Sequence, residues 1–410
     1  MLKHIAVSEL RMGMFIHEFC GPGIDQPLWK NGFLLQHEQD LQRIFDAKVA
    51  ELWINVCRGI DIDTPCPESA ESDLPDNLRS LTNRQVASRA ALNQEVTRAV
   101  QLCTRSKAVM ENMFNDLRMG RIAEMEQVTE LVTEISASLM RHPDALISLV
   151  RLKTSDEYTY MHSVAVCALM IALARQLKLP ASLVHEAGVA GLMHDVGKAA
   201  VPVAILNKPG TLSETEFETM RGHPEAGSKM LVSSRHFTPR VLDVCLHHHE
   251  KVDGTGYPHK LMGSQISLFA RMGAVCDVYD AVTSDRPYKS AWGPADAIHR
   301  MAEWRGHFDE KIFQAFVKCI GIYPVGALVR LRSGRIGVVT EQHEHSLLTP
   351  KVMVFYSVTA HNSIEPTVVN LATQVDEDRI VSRECAENLG FKNVDELWSG
   401  LAAGHKSLFA

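Results

Sequence analysis

Apolar positions fall into distinct regimes along this 410-residue chain. Residues 84–150 carry them at helical spacing, interrupted at RMGR around Gly120, which predicts two helices, with a hairpin as one way to join them. A further helix-like run is MHSVAVCALMIALARQL, beginning at Met161. After Gly321 the period changes. GALVRLRSGRIGVVTEQ, PKVMVFYSV and PTVVNLAT read as extended segments, and Ser333-Gly334 inside the first marks a hairpin turn. The tract from about 322 to 375 therefore predicts a small β appendage, and VDELWSGLAAG a terminal helix.

Residues 1–58 mix both periods. KHIAVSELRMGMFIHEF predicts extended segments, HEQDLQRIFDAK a short helix and VAELWINV a closing strand, which together make a small α+β unit. Trp29 and Phe33 could form a ligand-stacking pair there, but the core of a small domain claims such aromatics more often. Between Asp61 and Asn83 the chain turns polar and rich in Pro, Ser, Asp and Glu, the composition of a linker. The expected organisation is a regulatory or scaffolding domain at 1–60, a linker at 61–83 and connecting helices at 84–150. A mainly α domain at 151–321 and the β appendage with its terminal helix at 322–410 complete it. The connecting helices either pack on the following domain or build a homodimer interface.

Composition narrows the classes. With 46% hydrophobic and 22% charged residues, a globular core is expected. No apolar run approaches the ~20 residues of a membrane span, and the N-terminus lacks a signal-peptide layout, so a cytoplasmic protein without membrane insertion is expected. Nine cysteines without a CxxC pair fit reduced thiols, and Cys167, Cys245 and Cys276 read as small buried hydrophobes. A net charge of −7 argues against nucleic-acid polymers as partners. A small dianionic nucleotide needs only a local cluster of cations.

The most informative segment is GLMHDVGK. On a continuous helix His194 and Asp195 would diverge by roughly 100°, so the carboxylate could bridge two ions while the imidazole holds one. Lys198 would sit on the same face. A bare His-Asp pair is often structural, but matching donors stand elsewhere: His162, His223, His247, His248, His249, Glu250, Asp277 and Asp280. Imidazoles and carboxylates without thiolate favour iron, manganese, zinc or nickel over a structural zinc site.

These motifs, in this order across about residues 155–320, resemble the HD-GYP family of HD phosphohydrolases. His162, His194-Asp195 with Lys198, His223, His248-His249, Gly256-Tyr257-Pro258, and Asp277 followed by Arg286 and Lys289 stand where its pattern expects them. The resemblance implies an all-helical, metal-centred domain that hydrolyses cyclic di-GMP to pGpG, GMP or both. It implies that His162, His194, Asp195 and Asp277 hold one divalent ion, with Asp195 bridging to a second held by His223, His248 and His249. Iron or manganese is the first expectation, with zinc or nickel next. Some relatives bind a third metal through a Glu four residues before the first His; here that position is Tyr158, and Glu157 is one residue off, so two ions are expected. The N-terminal unit resembles a domain of unknown function that often precedes HD-GYP domains, on SELRMGMFIHE, Trp29, Phe33 and the closing helix and strand.

The expected chemistry follows. Two cations lower the pKa of a bridging water, supply hydroxide in line with the phosphodiester and neutralise its non-bridging oxygens. Lys198 adds a point charge at the scissile phosphate, and the resemblance makes Tyr257, Arg286 and Lys289 the substrate-binding set. Other readings stay open: Tyr257 as a loop terminator, Arg286 and Lys289 as a solvated basic edge, His247 as a neighbour of the site, and Asp280 as orienting a ligand or only touching its helix. VAILNKPGTLSETEF, with a capping box at Ser213 and Glu216, is either a lid or an ordinary connection. Two alternatives accompany the enzyme reading. One is hydrolysis of a hybrid cyclic dinucleotide or a linear dinucleotide. The other is a receptor or adaptor that binds cyclic di-GMP, or a partner protein through the GYP loop, without turnover.

Overall fold

The period-2 stretches at the N-terminus form β1 (Leu2–Ala6), β2 (Phe15–Cys20), β3 (Phe33–Leu34) and β4 (Glu51–Asn55). In the computed structural model they pair antiparallel in the order β1-β4-β2-β3. Alternation sets the register: Leu52 and Ile54 turn inward opposite Ile5 and Ile16, while Glu51 and Trp53 face out. The structure describes residues 2–20, 33–35, 44, 51–55, 76–121, 124–153, 158–208, 210–285, 291–343, 346–373, 378–391 and 393–401. Of the helix expected over HEQDLQRIFDAK, only Ile44 is among them, helical and buried. Trp29 and the side chain of Phe33 lie outside the described residues. The chain divides into two units, Met1–Arg79 and Ser80–Ala410.

Helices follow: α1 (Asp76–Arg118), α2 (Met125–Arg141), α3 (Pro143–Val150), α4 (Tyr158–Gln176), α5 (Ala181–Met193), α6 (Val203–Leu206), α7 (Glu214–Arg221), α8 (His223–Ser234), α9 (Pro239–His247), α10 (Leu268–Thr283), α11 (Pro294–Glu303) and α12 (Glu310–Ile320). Helix α1 starts inside the stretch expected to be a linker. Asp76 and Asn77 are favoured at helix starts, and the polar residues after them do not themselves break a helix; residues 61–75 lie outside the described residues. The expected break near Gly120 separates α1 from α2, and Pro143, at the first position of α3, adds a second break.

Helices α4, α5 and α10 are apolar nearly all round, which is the pattern of helices enclosed by others. Helix α4 packs on α5 and α10, while α2, α9 and α12 pack around them and α8 lies against α9. Polar side chains on these central helices must therefore satisfy one another.

At the C-terminus β5 (Leu328–Leu331), β6 (Arg335–His343), β7 (Ser346–Ser357), β8 (Asn362–Asn370) and β9 (Ile380–Arg383) form an antiparallel sheet in the order β8-β7-β6-β5-β9. Two short helices close it, α13 (Ala386–Leu389) and α14 (Val394–Ser399). The sheet is not free-standing: Val329, Val338 and Trp398 cluster with Ala295 of α11, and Arg383 donates to the Ala295 carbonyl at 3.3 Å. Among the described residues no helix is long and apolar enough to cross a membrane.

Candidate metal centre

Seven of the side chains picked from the sequence meet at the heart of the bundle. His162 comes from α4, Asp277 from α10, His223 from the first position of α8, and His248 and His249 from the end of α9. His194 closes α5, and there the structure departs from the expected continuous helix. Asp195 leaves helical geometry at φ −104° and ψ 8°, and residues Val196–Ala200 form a 3-10 turn. Lys198 meets Asp195 through that tighter turn, and its ammonium hydrogen-bonds the Asp195 carboxylate. The turn can nestle against α8 only because residue 197 is glycine: a Cβ there would lie 1.8 Å from the His223 carbonyl oxygen.

Ligand atoms of Asp195, His223, His248 and His249 lie within 4.8 Å of one another, as do those of His162, His194 and Asp277. Asp195 faces both groups. Its Oδ2 is 3.5 Å from His162 Nε2 and 3.3 Å from His194 Nε2, while its Oδ1 is 3.1 Å from His223 Nε2 and 3.7 Å from His248 Nε2. His249 Nδ1 stands 3.6 Å from Asp277 Oδ2.

Hydrogen bonds on the far side of the rings assign the protons. His194 Nδ1 donates to the Gly191 carbonyl at 2.7 Å, His223 Nδ1 to Met220 at 2.7 Å, and His248 Nδ1 to Val244 at 3.0 Å. With Nδ1 protonated, each neutral ring aims an Nε2 lone pair inward. The Nε2 atoms of His223 and His248 face each other at 3.3 Å, and in the Nδ1–H tautomer of both neutral rings no proton lies between them. His194 Nε2 and Asp195 Oδ1 are buried without a hydrogen-bond partner. Facing lone pairs and orphaned acceptors fit bound cations, which would satisfy the acceptors of each group.

Electrostatics agree with acceptors held ready. Burial depresses His248 well below the usual imidazole range, reinforced by His249 and His194; burial likewise takes His249 down to about 3. Burial would raise Asp195 and Asp277, but Lys198, His194 and His223 around the first, and His162 and His249 around the second, keep both well below the usual carboxyl value. His162 moves up: burial opposes its charge, and hydrogen bonds with Asp277 and Asp280 outweigh it.

Around this centre the other candidates separate. Asp280 orients a ring, accepting from His162 Nδ1 at 2.7 Å. Its own partner is the fully buried Lys153, which reading the sequence did not find; nothing local in RLKTSD points to a carboxylate 127 residues away. His247 turns aside to Asp243 at 2.8 Å and His259 at 3.0 Å. Glu250 points away from the seven, accepting from the His259 and Leu261 amides at 2.7 and 3.0 Å and so tying down the loop after Tyr257. The Tyr257 ring stacks on His249 with centroids 4.7 Å apart, and the Arg221 guanidinium lies 4.7 Å from the Tyr257 centroid. The capping box at Ser213 and Glu216 forms and starts α7. Arg286, Lys289, Glu157 and the side chain of Tyr158 lie outside the described residues.

The HD domain family matches residues 137–312, and a domain of unknown function (DUF3391) matches residues 2–128. Together with full-length similarity to a characterised relative, this places the chain in the HD-GYP family of cyclic di-GMP phosphodiesterases, metal-dependent HD phosphohydrolases with a mainly α fold. That relative is the cyclic di-GMP phosphodiesterase PA4108 of Pseudomonas aeruginosa, 57% identical over 100% of this chain and 98% of its own length. The cyclic di-GMP phosphodiesterase response regulator RpfG of Xanthomonas campestris is 32% identical over 55% of this chain and 58% of its own. Among solved structures, the HD-GYP-type protein Bd1817 of Bdellovibrio bacteriovorus covers 77% of this chain and 98% of its own, at 18% identity and a TM-score of 0.46.

Proposed function

We propose that this chain hydrolyses cyclic di-GMP to pGpG, GMP or both at a centre of two divalent ions. His162, His194 and Asp277 would hold one ion and His223, His248 and His249 the other, with Asp195 offering one oxygen to each. The facing Nε2 atoms of His223 and His248 carry this reading, because two lone pairs at 3.3 Å repel without a shared cation. Iron or manganese suits the nitrogen and oxygen donors best, with zinc or nickel next. When bound, the ions supply Lewis acidity that activates water and neutralises charge on the phosphodiester.

The chain's own groups do the rest. Lys198 balances the Asp195 carboxylate and brings positive charge to the edge where a scissile phosphate would lie. Tyr257 stands against His249 at the edge of the centre, and Arg286 and Lys289 complete the substrate-binding set of this reading. In the hydrolysis, water oxygen bonds to phosphorus, one P–O ester bond breaks and the leaving oxygen takes a proton. We place the catalytic domain at 151–321 in a cytoplasmic protein, with 1–60 as its regulatory or scaffolding domain. The connecting helices are a candidate dimer surface and the GYP loop a candidate contact for a partner protein. Metal analysis of anaerobically purified protein, coupled to chromatography of its products from cyclic di-GMP and from a hybrid cyclic dinucleotide, tests the reading. Two ions per chain and pGpG or GMP as product support it; tight binding without turnover across iron and manganese would refute it.

A further inference from the structure

Arg221 is the last residue of α7, two residues before His223. Its guanidinium lies over two rings, 4.7 Å from the Tyr257 centroid and 5.6 Å from that of Phe217. It is half-buried, and among the described residues it makes no hydrogen bond or ion pair. Glu218 and Glu225, one turn before and one turn after it, do not pair with it. By contrast Arg141, Arg240 and Arg271 each rest on a carboxylate, at 2.7, 3.0 and 2.7 Å.

A guanidinium that lies over a ring without a hydrogen-bond partner keeps its N–H donors free, and those donors match a phosphate in bidentate fashion. The ring beneath it stacks on His249, so this uncommitted cation stands one ring away from the candidate metal centre. Lys198, a second cation near the centre among the described residues, is already engaged by Asp195. A cyclic dinucleotide carries two phosphodiesters, and when one lies at the metals the other is displaced to the side, where it can meet a cation of its own.

We propose that Arg221 grips the second, uncleaved phosphodiester of the substrate and so selects dinucleotides that carry two phosphates. This rests on the dinucleotide reading above. The rival role is structural, a cation closing α7 and bracing Tyr257.

The test uses the metal-loaded full-length protein, its Arg221→Gln and Arg221→Lys variants, and bis(p-nitrophenyl) phosphate as a base-free reporter diester. Inhibition constants are measured for cyclic di-GMP and for the linear dinucleotide GpG, which has both guanines but a single phosphate. Arg221→Gln should weaken cyclic di-GMP by about 10- to 100-fold, the loss of one charge-assisted bidentate contact, with Arg221→Lys in between. GpG inhibition, reporter turnover and metal content should stay within about twofold, on the premise that separated contacts act independently. Unchanged cyclic di-GMP inhibition would overturn the inference, a parallel loss for GpG would make Arg221 a reader of guanine, and a parallel loss of reporter turnover would make it a brace. Because the readout is competition, absence of cyclic di-GMP consumption would count against the proposed function and not against the role of Arg221.

Discussion

Lys153 places its ammonium 2.7 and 2.8 Å from the two oxygens of Asp280, and neither side chain is exposed by more than 3%. Asp280 in turn accepts from His162 Nδ1 at 2.7 Å. Burial would raise the Asp280 carboxyl, but Lys153 and His162 keep it below its usual value, so a charged carboxylate stays available to fix the ring. A lysine outside the ligand set thus helps decide which way a candidate ligand points.

Replacing Lys153 with Met should destabilise the fold by about 3–5 kcal/mol, the range for removing one partner of a buried ion pair. The double variant Lys153→Met, Asp280→Asn should recover part of that loss, because no unpaired charge remains. Asp280→Asn alone should lower metal affinity by about 10- to 100-fold through the orientation of His162. Denaturant unfolding and metal titration read the two effects separately.

Asp195→Asn tests the proposed bridge. A partner one step removed from a metal already carries about 10- to 100-fold in affinity, so a carboxylate facing both ligand groups should exceed ~100-fold. Metal content should fall below that of the unaltered protein and diester hydrolysis should be lost. Full metal content with full activity would remove Asp195 from the centre.

The parts of this molecule that show in sequence are those where a polar residue interrupts an apolar pattern or a period persists. His162 and Asp277 stand out because their helices are otherwise largely apolar, and β6 and β7 because their apolar, β-rich runs are long enough to be seen. Strand β9 has four residues and no buried-exposed rhythm, so nothing marks it. The 3-10 turn after His194 is invisible because GLMHDVGK is equally compatible with a helix; the break comes from the close approach of residue 197 to α8. Lys153 and Arg221 gain their meaning from partners far along the chain.

Gly197→Ala follows from that approach. An added Cβ would lie 1.8 Å from the His223 carbonyl oxygen and 2.5 Å from the Gly227 amide nitrogen, both backbone atoms that cannot rotate away. The 3-10 turn and α8 must separate, at a cost of about 1–3 kcal/mol or more. His223 moves with α8, so metal retention should drop together with the unfolding midpoint. A variant with unchanged midpoint and metal content would show that the two backbones part freely.

The metal-free protein should lose stability as pH falls below about 6.5, the ordinary imidazole value. Burial holds His248, His249 and His307 below that value when folded, to about 3 for His249 and about 4 for His307. Between those limits the unfolded chain takes up protons that the folded chain refuses, so stability rises with pH, by up to about 1.4 kcal/mol per unit for each group. His162 acts in the opposite sense but above pH 6.5: its raised folded value adds stability at lower pH that is lost as pH climbs through it. Asp195 and Asp277, lowered from 3.8, lose their contribution only in stronger acid. Chelated protein unfolded by denaturant at pH 7, 6 and 5 should therefore weaken at each step. His307 belongs to neither ligand group and packs against Trp304 and Phe308, so His307→Gln should flatten the slope by about one group while leaving metal binding at neutral pH intact. A slope unchanged in that variant would mean that the imidazole is already free to take its proton in the folded state.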